Sequence, residues 1–161
     1  MSTNAYMTAT GSKQGAIQGS CQIQGHTNQM IVYRYENTLE IPTNTQTGQP
    51  TGSVHIAPIR VTKEVDEASP LLAQALTTGE VLTDVKVMFM NISKDGKPQN
   101  YYTIELKNAI VTAIDYDNPM TLLSENGPLG FMETISMTTE SITGTDELKS
   151  KEFTYSWTGS K

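Results

Sequence analysis

Residues 48–82 read GQPTGSVHIAPIRVTKEVDEASPLLAQALTTGEVL and pass through three local patterns in turn. The stretch begins inside a polar loop, because no large apolar side chain occurs from Thr43 to Ser53. Residues 54–65 then alternate as a strand does, and β-branched residues are prominent among them. Pro58 removes one backbone donor from this strand, which predicts either an edge strand or a bulge there.

The third pattern, ASPLLAQALTTGE at residues 68–80, predicts the one helix of the chain, about three turns long. Ser69 is placed to cap the first-turn amides, and Pro70 suits the first helical position. Gly79 can adopt the left-handed conformation that ends a helix. The spacing also predicts an apolar stripe that packs against a sheet, formed by Leu72, Ala75 and Leu76.

Upstream of the loop, residues 30–41 (MIVYRYENTLEI) have a period of two and predict a half-buried strand. Residues 5–25 are punctuated by glycines and predict one or two further strands. In the strand at 30–41, the side predicted to be apolar consists of Ile31, Tyr33, Tyr35, Leu39 and Ile41.

Downstream of the helix, residues 81–92 and 101–116 predict a β-hairpin whose turn contains Asp95-Gly96. Residues 117–130 predict a loop, and residues 131–142 and 152–157 two more strands. The last strand would place Phe153, Tyr155 and Trp157 on one face as an aromatic seal. The predicted apolar faces of the hairpin are Val85, Val87 and Phe89 on one arm and Tyr102, Ile104, Leu106, Ile110 and Ile114 on the other.

These elements predict a mainly β fold, with two packed antiparallel sheets that form a partly closed barrel and one short helix alongside. The length of 161 residues suits a single domain over residues 1–161, and 37% hydrophobic residues are enough for a core. Long strands also expose long edges, which an isolated small domain must protect.

The charge pattern excludes several classes of partner. The chain carries 11 scattered basic residues against a net charge of −6, so it lacks the basic stripe that nucleic acid requires. No apolar run approaches a membrane span, so membrane insertion is not expected. The N-terminal residues show no secretory signal pattern, and the lone Cys21 suits a reducing compartment, so the sequence predicts a soluble cytoplasmic protein.

A search for chemistry among the side chains predicts a protein that is not an enzyme and binds no cofactor or metal. Cys21 is predicted to be a small buried thiol, and His26 an exposed turn residue. His55 alternates with apolar residues and predicts a partly buried, hydrogen-bonded strand position. Two histidines and one cysteine do not make an ordinary zinc set. Asp66-Glu67 is expected to be a solvated pair just before the helix. The acids Asp115 and Asp117 lie in DYDNP, which looks like a Ca²⁺ loop but lacks the Gly and the distal Glu of an EF-hand.

Residues 48–82 resemble the Hcp family (haemolysin-coregulated protein) of bacterial type VI secretion systems. The shared pattern combines a TGQPTG-like loop, a Val-His strand, a TKE-hydrophobic-Asp run and a Ser-Pro helix that ends in ALTTGE. GHTNQMIVYRYENTLEIPTN upstream and GKPQNYYTIELKNAIV downstream are also similar to the family. The resemblance covers residues 20–116 well and the C-terminal third more loosely. Ser53 and Ile56 depart from it, since the family often has basic residues there.

The resemblance implies a phage tail-tube-like barrel of which six copies form a ring with a wide central hole. Such rings stack head to tail into the inner tube of a contractile sheath, capped by a spike. The implied partners are therefore further copies of the chain, the sheath and spike proteins, and small effector proteins carried inside the ring. The tube would assemble in the cytoplasm and then be secreted without a signal peptide.

The resemblance also assigns expected sites on the chain. Subunit contacts and stacking are expected at the loop, at Thr47, Gly48, Gln49, Pro50, Thr51, Gly52, Ser53 and His55. Helix packing is expected at Ser69, Pro70, Leu72, Leu76 and Gly79.

Two other functions remain open from the residues alone. The first is a non-catalytic binding module, either a chaperone or carrier of effectors within the same ring or a free β-sandwich. The second is a hydrolase that would need paired carboxylates about 5 to 10 Å apart in a pocket.

Overall fold

The computed structural model describes residues 4–156, and over this range the chain is mainly β with one α-helix. Most connections between elements are short, and three longer loops span residues 18–29, 41–54 and 118–131. The elements are β1 (Ala5–Gly11), β2 (Gly15–Ile17), β3 (Met30–Glu36), β4 (Leu39–Glu40), β5 (His55–Ile56), β6 (Ile59–Glu64), α1 (Ser69–Thr78), β7 (Val81–Ile92), β8 (Pro98–Asp117), a 3-10 turn (Ser124–Asn126), β9 (Met132–Asp146) and β10 (Lys151–Ser156).

Six of the strands close into an antiparallel barrel in the order β9-β6-β3-β1-β7-β8, because β8 pairs with β9 as well as with β7. β2 adds to β1 and β10 adds to β9, while β4 and β5 form a separate two-stranded ladder. The mainly β barrel with one helix alongside, predicted from the sequence, is therefore confirmed. Closure also leaves few free ladder edges within the barrel itself.

Pro58 interrupts the predicted strand at residues 54–65 and divides it into β5 and β6. β6 is not an edge strand, since it lies between β3 and β9. The missing proline donor is accommodated because Pro58 falls in the gap between the two strands, where no ladder bond is needed.

A β-bulge in β3 reverses the predicted apolar face of the strand. The pairing of β3 with β6 shifts register between Val32 and Arg34, so Met30 and Val32 enter the core, whereas Tyr33 is exposed. After the bulge Tyr35 packs against the core. The prediction that Ile31, Tyr33, Leu39 and Ile41 share a buried side is wrong. The bulge exchanges the two faces within β3, and Leu39 and Ile41 lie beyond β3 in a stretch that is exposed throughout.

β8 changes its buried face twice. Asn108 has φ 54, and both Leu106 and Ala109 are fully buried on either side of it. A register shift between Val111 and Ala113 then restores the original alternation. Ile110 was predicted to face the core but is 41% exposed.

The helix α1 packs Leu72 and Ala75 into the core and rests against β8. Leu76 packs partly against the same core, and Gly79 ends the helix with φ 71, a conformation that costs a residue with a Cβ more than it costs glycine. Pro70 lies in the first turn, where its missing N–H has no helical partner to lose.

Ser69 does not cap the helix, contrary to the prediction. The Ala68 N–H donates instead to Asp66 Oδ1 at 3.0 Å. The Ser69 hydroxyl accepts from the Asp66 N–H at 2.9 Å and donates to Glu133 Oε1 at 2.7 Å. Its oxygen is therefore engaged outside the helix, which begins after Ala68 without a side-chain cap.

A buried ionic network joins β6, β9 and the start of α1. Lys63 is 1% exposed, and its Nζ lies 2.7 Å from both Asp66 Oδ1 and Glu133 Oε1. The same ammonium donates to Ser69 Oγ at 3.2 Å and to the carbonyl of Glu64 at 3.0 Å. A buried charge is tolerated when it is paired and hydrogen-bonded in this way, and its loss leaves the partner charges uncompensated.

The C-terminal aromatic face is only partly described. Tyr155 packs against the core and its hydroxyl donates to the Val54 carbonyl at 3.1 Å, whereas Phe153 is partly exposed. Trp157, the third predicted member, lies outside the described residues.

Tyr35 also packs against the core, but its hydroxyl lacks a hydrogen-bond partner of the kind that Tyr155 has. Its ring meets Phe89 edge to face at 5.3 Å, and within residues 4–156 its buried hydroxyl has no hydrogen-bond partner. Burial raises the pKa of Tyr35, and the nearby Tyr102 raises it further.

Replacing Lys63 by Met should lower the free energy of unfolding by about 3 to 5 kcal/mol, because two carboxylates then lose their buried counter-charge. The double variant Lys63→Met with Glu133→Leu should recover a large part of that loss. Urea unfolding measures both. Lys107→Met is the matched control, since this half-exposed lysine also pairs with two carboxylates and its loss should cost about 1 kcal/mol or less. Equal losses for Lys63→Met and Lys107→Met would contradict the assignment.

Replacing Tyr35 by Phe should raise the free energy of unfolding by about 1 kcal/mol, since the change removes an unpaired buried hydroxyl. Tyr155→Phe should lower it by about 1 kcal/mol, because the bond to Val54 is lost. Thermal and urea unfolding of the two variants side by side make the comparison. A loss of stability in both would show that the Tyr35 hydroxyl does have a partner in solution.

Candidate functional site

A hairpin extension leaves the barrel between β3 and β6 and contains the whole predicted assembly loop. β4 pairs with β5 through Leu39 with Ile56 and Glu40 with His55, and an isolated bridge joins Thr43 to Pro50. At its root the Ala57 N–H donates to the Thr38 carbonyl at 2.9 Å. The polar loop is therefore the outer part of a two-stranded arm.

Hydrogen bonds within the arm hold its tip. The Asn44 side chain accepts from the Gln46 and Thr47 N–H groups at 2.8 and 3.3 Å, as in an Asx turn. The Gly48 N–H donates to the Asn44 carbonyl at 2.7 Å, and Gly48 has φ 73. The Thr51 N–H donates to the Pro42 carbonyl at 2.6 Å. The arm is thus ordered by its own backbone and needs no apolar core.

All predicted loop residues are exposed, as is every residue from Thr38 to Ser53. The structure brings the predicted group together on the arm: Thr47, Gly48, Gln49, Pro50, Thr51, Gly52, Ser53 and His55. His55 was predicted to be partly buried but is exposed, because β5 pairs with the short β4 and is not part of the barrel. The contact of Tyr155 with Val54 at the root of the arm was not predicted, since the two residues are 101 positions apart.

In the second predicted group, on the helix, the two leucines pack within the chain, whereas Pro70 and Gly79 are exposed. Leu72 is fully buried and Leu76 partly so, while Ser69 belongs to the network around Lys63. Sequence reasoning missed Lys63 and Glu133 in this network. The available signal was a lysine at an inward position of an alternating strand, which requires a buried carboxylate partner.

Cys21 and His26, which the sequence offered for chemistry, both make structural contacts. Cys21 is buried, as predicted, and accepts a weak bond from the Ile23 N–H. His26 is not an exposed turn residue, because its ring stacks on Tyr6 at 3.8 Å and its Nδ1 lies 2.8 Å from Gln29 Oε1. Over residues 4–156 no three His, Cys, Asp or Glu side chains are grouped to hold a metal ion. In the same range no helix has the length and hydropathy needed to cross a bilayer.

A family comparison agrees with the fold. Residues 6–145 match the family described as type VI secretion system effector, Hcp. The chain belongs to the Hcp family. Hcp proteins are structural tube proteins, and this chain is accordingly a structural tube subunit of a type VI secretion system.

Individual Hcp relatives cover nearly the whole chain. The chain is 36% identical over 168 residues to a protein named Major exported protein from Pseudomonas aeruginosa, with 98% of this chain and 96% of the relative covered. The structure of the secreted protein Hcp3 from P. aeruginosa matches with a TM-score of 0.77 at 30% identity, covering 97% and 99% of the two chains. Hcp1 from E. coli EAEC 042 matches with a TM-score of 0.85 at 26% identity, covering 95% and 97%.

Proposed function

We propose that six copies of this chain close into a ring with a central hole and that such rings stack into the inner tube. The tube assembles in the cytoplasm within a contractile sheath and beneath a spike, and contraction expels it together with small effector proteins. The role is mechanical and not catalytic, and residues 1–161 act in it as one barrel domain. An exported relative and the Hcp family support this proposal.

Within this chain, the exposed arm is the main observation that supports the proposal. Every residue from Thr38 to Ser53 is exposed, yet the arm is held by its own turn and bridge. An ordered segment of this length outside a compact domain is typically functional. Because its side chains are mainly amides and hydroxyls, the arm suits hydrogen bonding to a neighbouring subunit or to the next ring.

The strand edges left over from barrel closure also support a ring. Over residues 151–155, β10 pairs with β9 alone among the described strands, so the second edge of this stretch is open to another chain. Such an edge favours pairing with another chain, and a closed cyclic arrangement would satisfy it at every copy without open-ended aggregation.

Deleting Gln46 to Gly52 should leave a folded barrel but weaken assembly, because the tip of the arm is lost while the β4–β5 ladder is retained. Circular dichroism and thermal unfolding check the fold. Native mass spectrometry measures rings, and electron microscopy measures stacks.

A variant with residues 46–52 replaced by seven Gly and Ser residues is the control for length. It keeps the reach of the arm but loses its specific side chains and most of its turn, so its assembly should lie between that of the deletion and that of the wild type. A deletion variant that forms rings and stacks like the wild type would refute the role of the arm.

A further inference from the structure

The 118–131 loop between β8 and β9 exposes an unusual amount of apolar surface. Leu122 is 89% exposed, and the Phe131 ring continues this surface towards Tyr116, whose ring centre lies 6.0 Å away. Single exposed apolar residues are common on protein surfaces, but a contiguous group usually marks an interaction site. The exposed apolar residues of the loop are Met120, Leu122, Leu123, Leu129 and Phe131.

Hydrogen bonds through Asn126 hold the two halves of this loop together. The Asn126 side chain donates to the Met120 carbonyl at 3.1 Å, and the Asn126 carbonyl accepts from the Leu129 N–H at 3.0 Å. The Phe131 carbonyl accepts from the Val65 N–H at 2.9 Å, which joins the loop to the chain just after β6. The apolar side chains therefore lie on a preformed surface, which loses less conformational entropy on binding.

Exposed carboxylates lie at both ends of the loop and within it. Asp117 ends β8 immediately before the loop, and Glu125 lies in the 3-10 turn. Glu64 lies beside the other end, because a Cβ on Gly130 would stand 2.9 Å from Glu64 Oε1. The apolar surface therefore has an acidic border, formed by Glu64, Asp117 and Glu125.

The chain around the loop has no free basic residue to neutralise this border. Residues 108–148 contain no Lys, Arg or His. The segment joined to the far end of the loop has one lysine, Lys63, which is 1% exposed and already bonded to Asp66 and Glu133. The border consequently attracts a basic partner and repels an acidic one.

Within residues 4–156, a second copy of this chain offers little unpaired basic surface to such a border. Lys63 is buried, and Lys107 already pairs with two carboxylates. Arg34 and Arg60 both contact Glu36. Charge complementarity therefore favours a partner of different sequence. The lysines at the tips of the β7–β8 and β9–β10 hairpins, Lys94, Lys97, Lys149 and Lys151, are matched there by Asp95, Asp146, Glu147 and Glu152.

We propose that the 118–131 loop is a docking site for a different protein, which binds through a segment whose apolar side chains are flanked by lysine or arginine. Apolar packing on the loop supplies the affinity, and the acidic border selects the charge of the partner. A basic amphipathic helix is one common form of such a segment. This binding needs one folded copy of the chain and does not depend on ring formation.

Peptide display tests which chemistry the loop binds. Random peptides on phage are selected on the wild-type protein and depleted on the Leu122→Asp variant. Because this substitution adds a negative charge, the depletion removes peptides that bind by charge alone. The enriched peptides should carry a net positive charge together with apolar side chains. Enrichment of acidic or uncharged peptides, or of none that distinguishes the two proteins, would overturn the proposal.

Fluorescence anisotropy with one enriched peptide then measures the apolar part of the site. Leu129→Gln should raise the Kd roughly tenfold, because a side chain packed at the contact is lost. Leu148→Gln is the matched control, since Leu129 and Leu148 are 54% and 53% exposed and Leu148 lies at the β9–β10 tip. The Kd of this control should match that of the wild type. Equal losses of affinity in the two variants would refute the assigned surface.

Neutralising substitutions measure the acidic border in the same assay. Asp117→Asn combined with Glu125→Gln should raise the Kd roughly fivefold at low salt, and the difference should shrink as salt increases. Asp95→Asn combined with Glu147→Gln removes the same charge at the hairpin tips, and this control should change the Kd by less than about twofold. A control that weakens binding as much as the border variant would contradict a local role of the border.

Two further measurements identify a different occupant if the proposal is wrong. Native mass spectrometry should find the same oligomers for the wild type and for Leu122→Asp, and smaller oligomers in the variant would show that a second copy covers the loop. Neither protein should bind phosphatidylcholine vesicles in a flotation assay. Vesicle binding that Leu122→Asp abolishes would assign the loop to a lipid surface. Leu129→Gln takes the place of Leu122→Asp in each comparison if circular dichroism shows that Leu122→Asp does not fold.

Discussion

The buried ammonium of Lys63 is the constraint on which the geometry of this subunit depends. It lies between two carboxylates, one on β9 and one at the turn before the helix, and each is within 2.7 Å. Because a buried lysine requires these partners, β6, β9 and the start of α1 have one mutual arrangement that satisfies it. The helix consequently begins beside the barrel end from which the 118–131 loop also departs.

Barrel closure pairs the strands of the wall with one another, and several segments of the chain lie outside that wall. The six strands satisfy each other's backbone hydrogen bonds, so the barrel wall exposes few strand edges that could pair with another chain. Several exposed segments lie outside those walls: the arm from Thr38 to Ser53, the 118–131 loop and the tips of the β7–β8 and β9–β10 hairpins. The chain thus combines a closed barrel body with segments that extend beyond it.

Sequence patterns predicted the elements well where a local rule applied. The helix with its glycine end and the β7–β8 hairpin with Gly96 at φ 79 follow from propensity and turn chemistry. The faces of β3 and β8 did not follow, because bulges near Tyr33 and Thr112 and the positive φ of Asn108 reverse the alternation. A bulge adds one residue to a strand without a distinctive local sequence, so a period of two cannot reveal it.

The sequence by itself determined the class of the fold, the position of the helix, the polar arm and the resemblance to Hcp proteins. Each of these depends on residues that are close together in the sequence. Only the tertiary structure decided that Lys63 meets Glu133 and that Tyr155 supports the arm at Val54. It also decided that Met120, Leu122, Leu123, Leu129 and Phe131 are exposed together on one loop. The residues of these two pairs lie 70 and 101 positions apart in the sequence. Strand pairing across the closed barrel brings them together, and no local sequence pattern encodes that pairing.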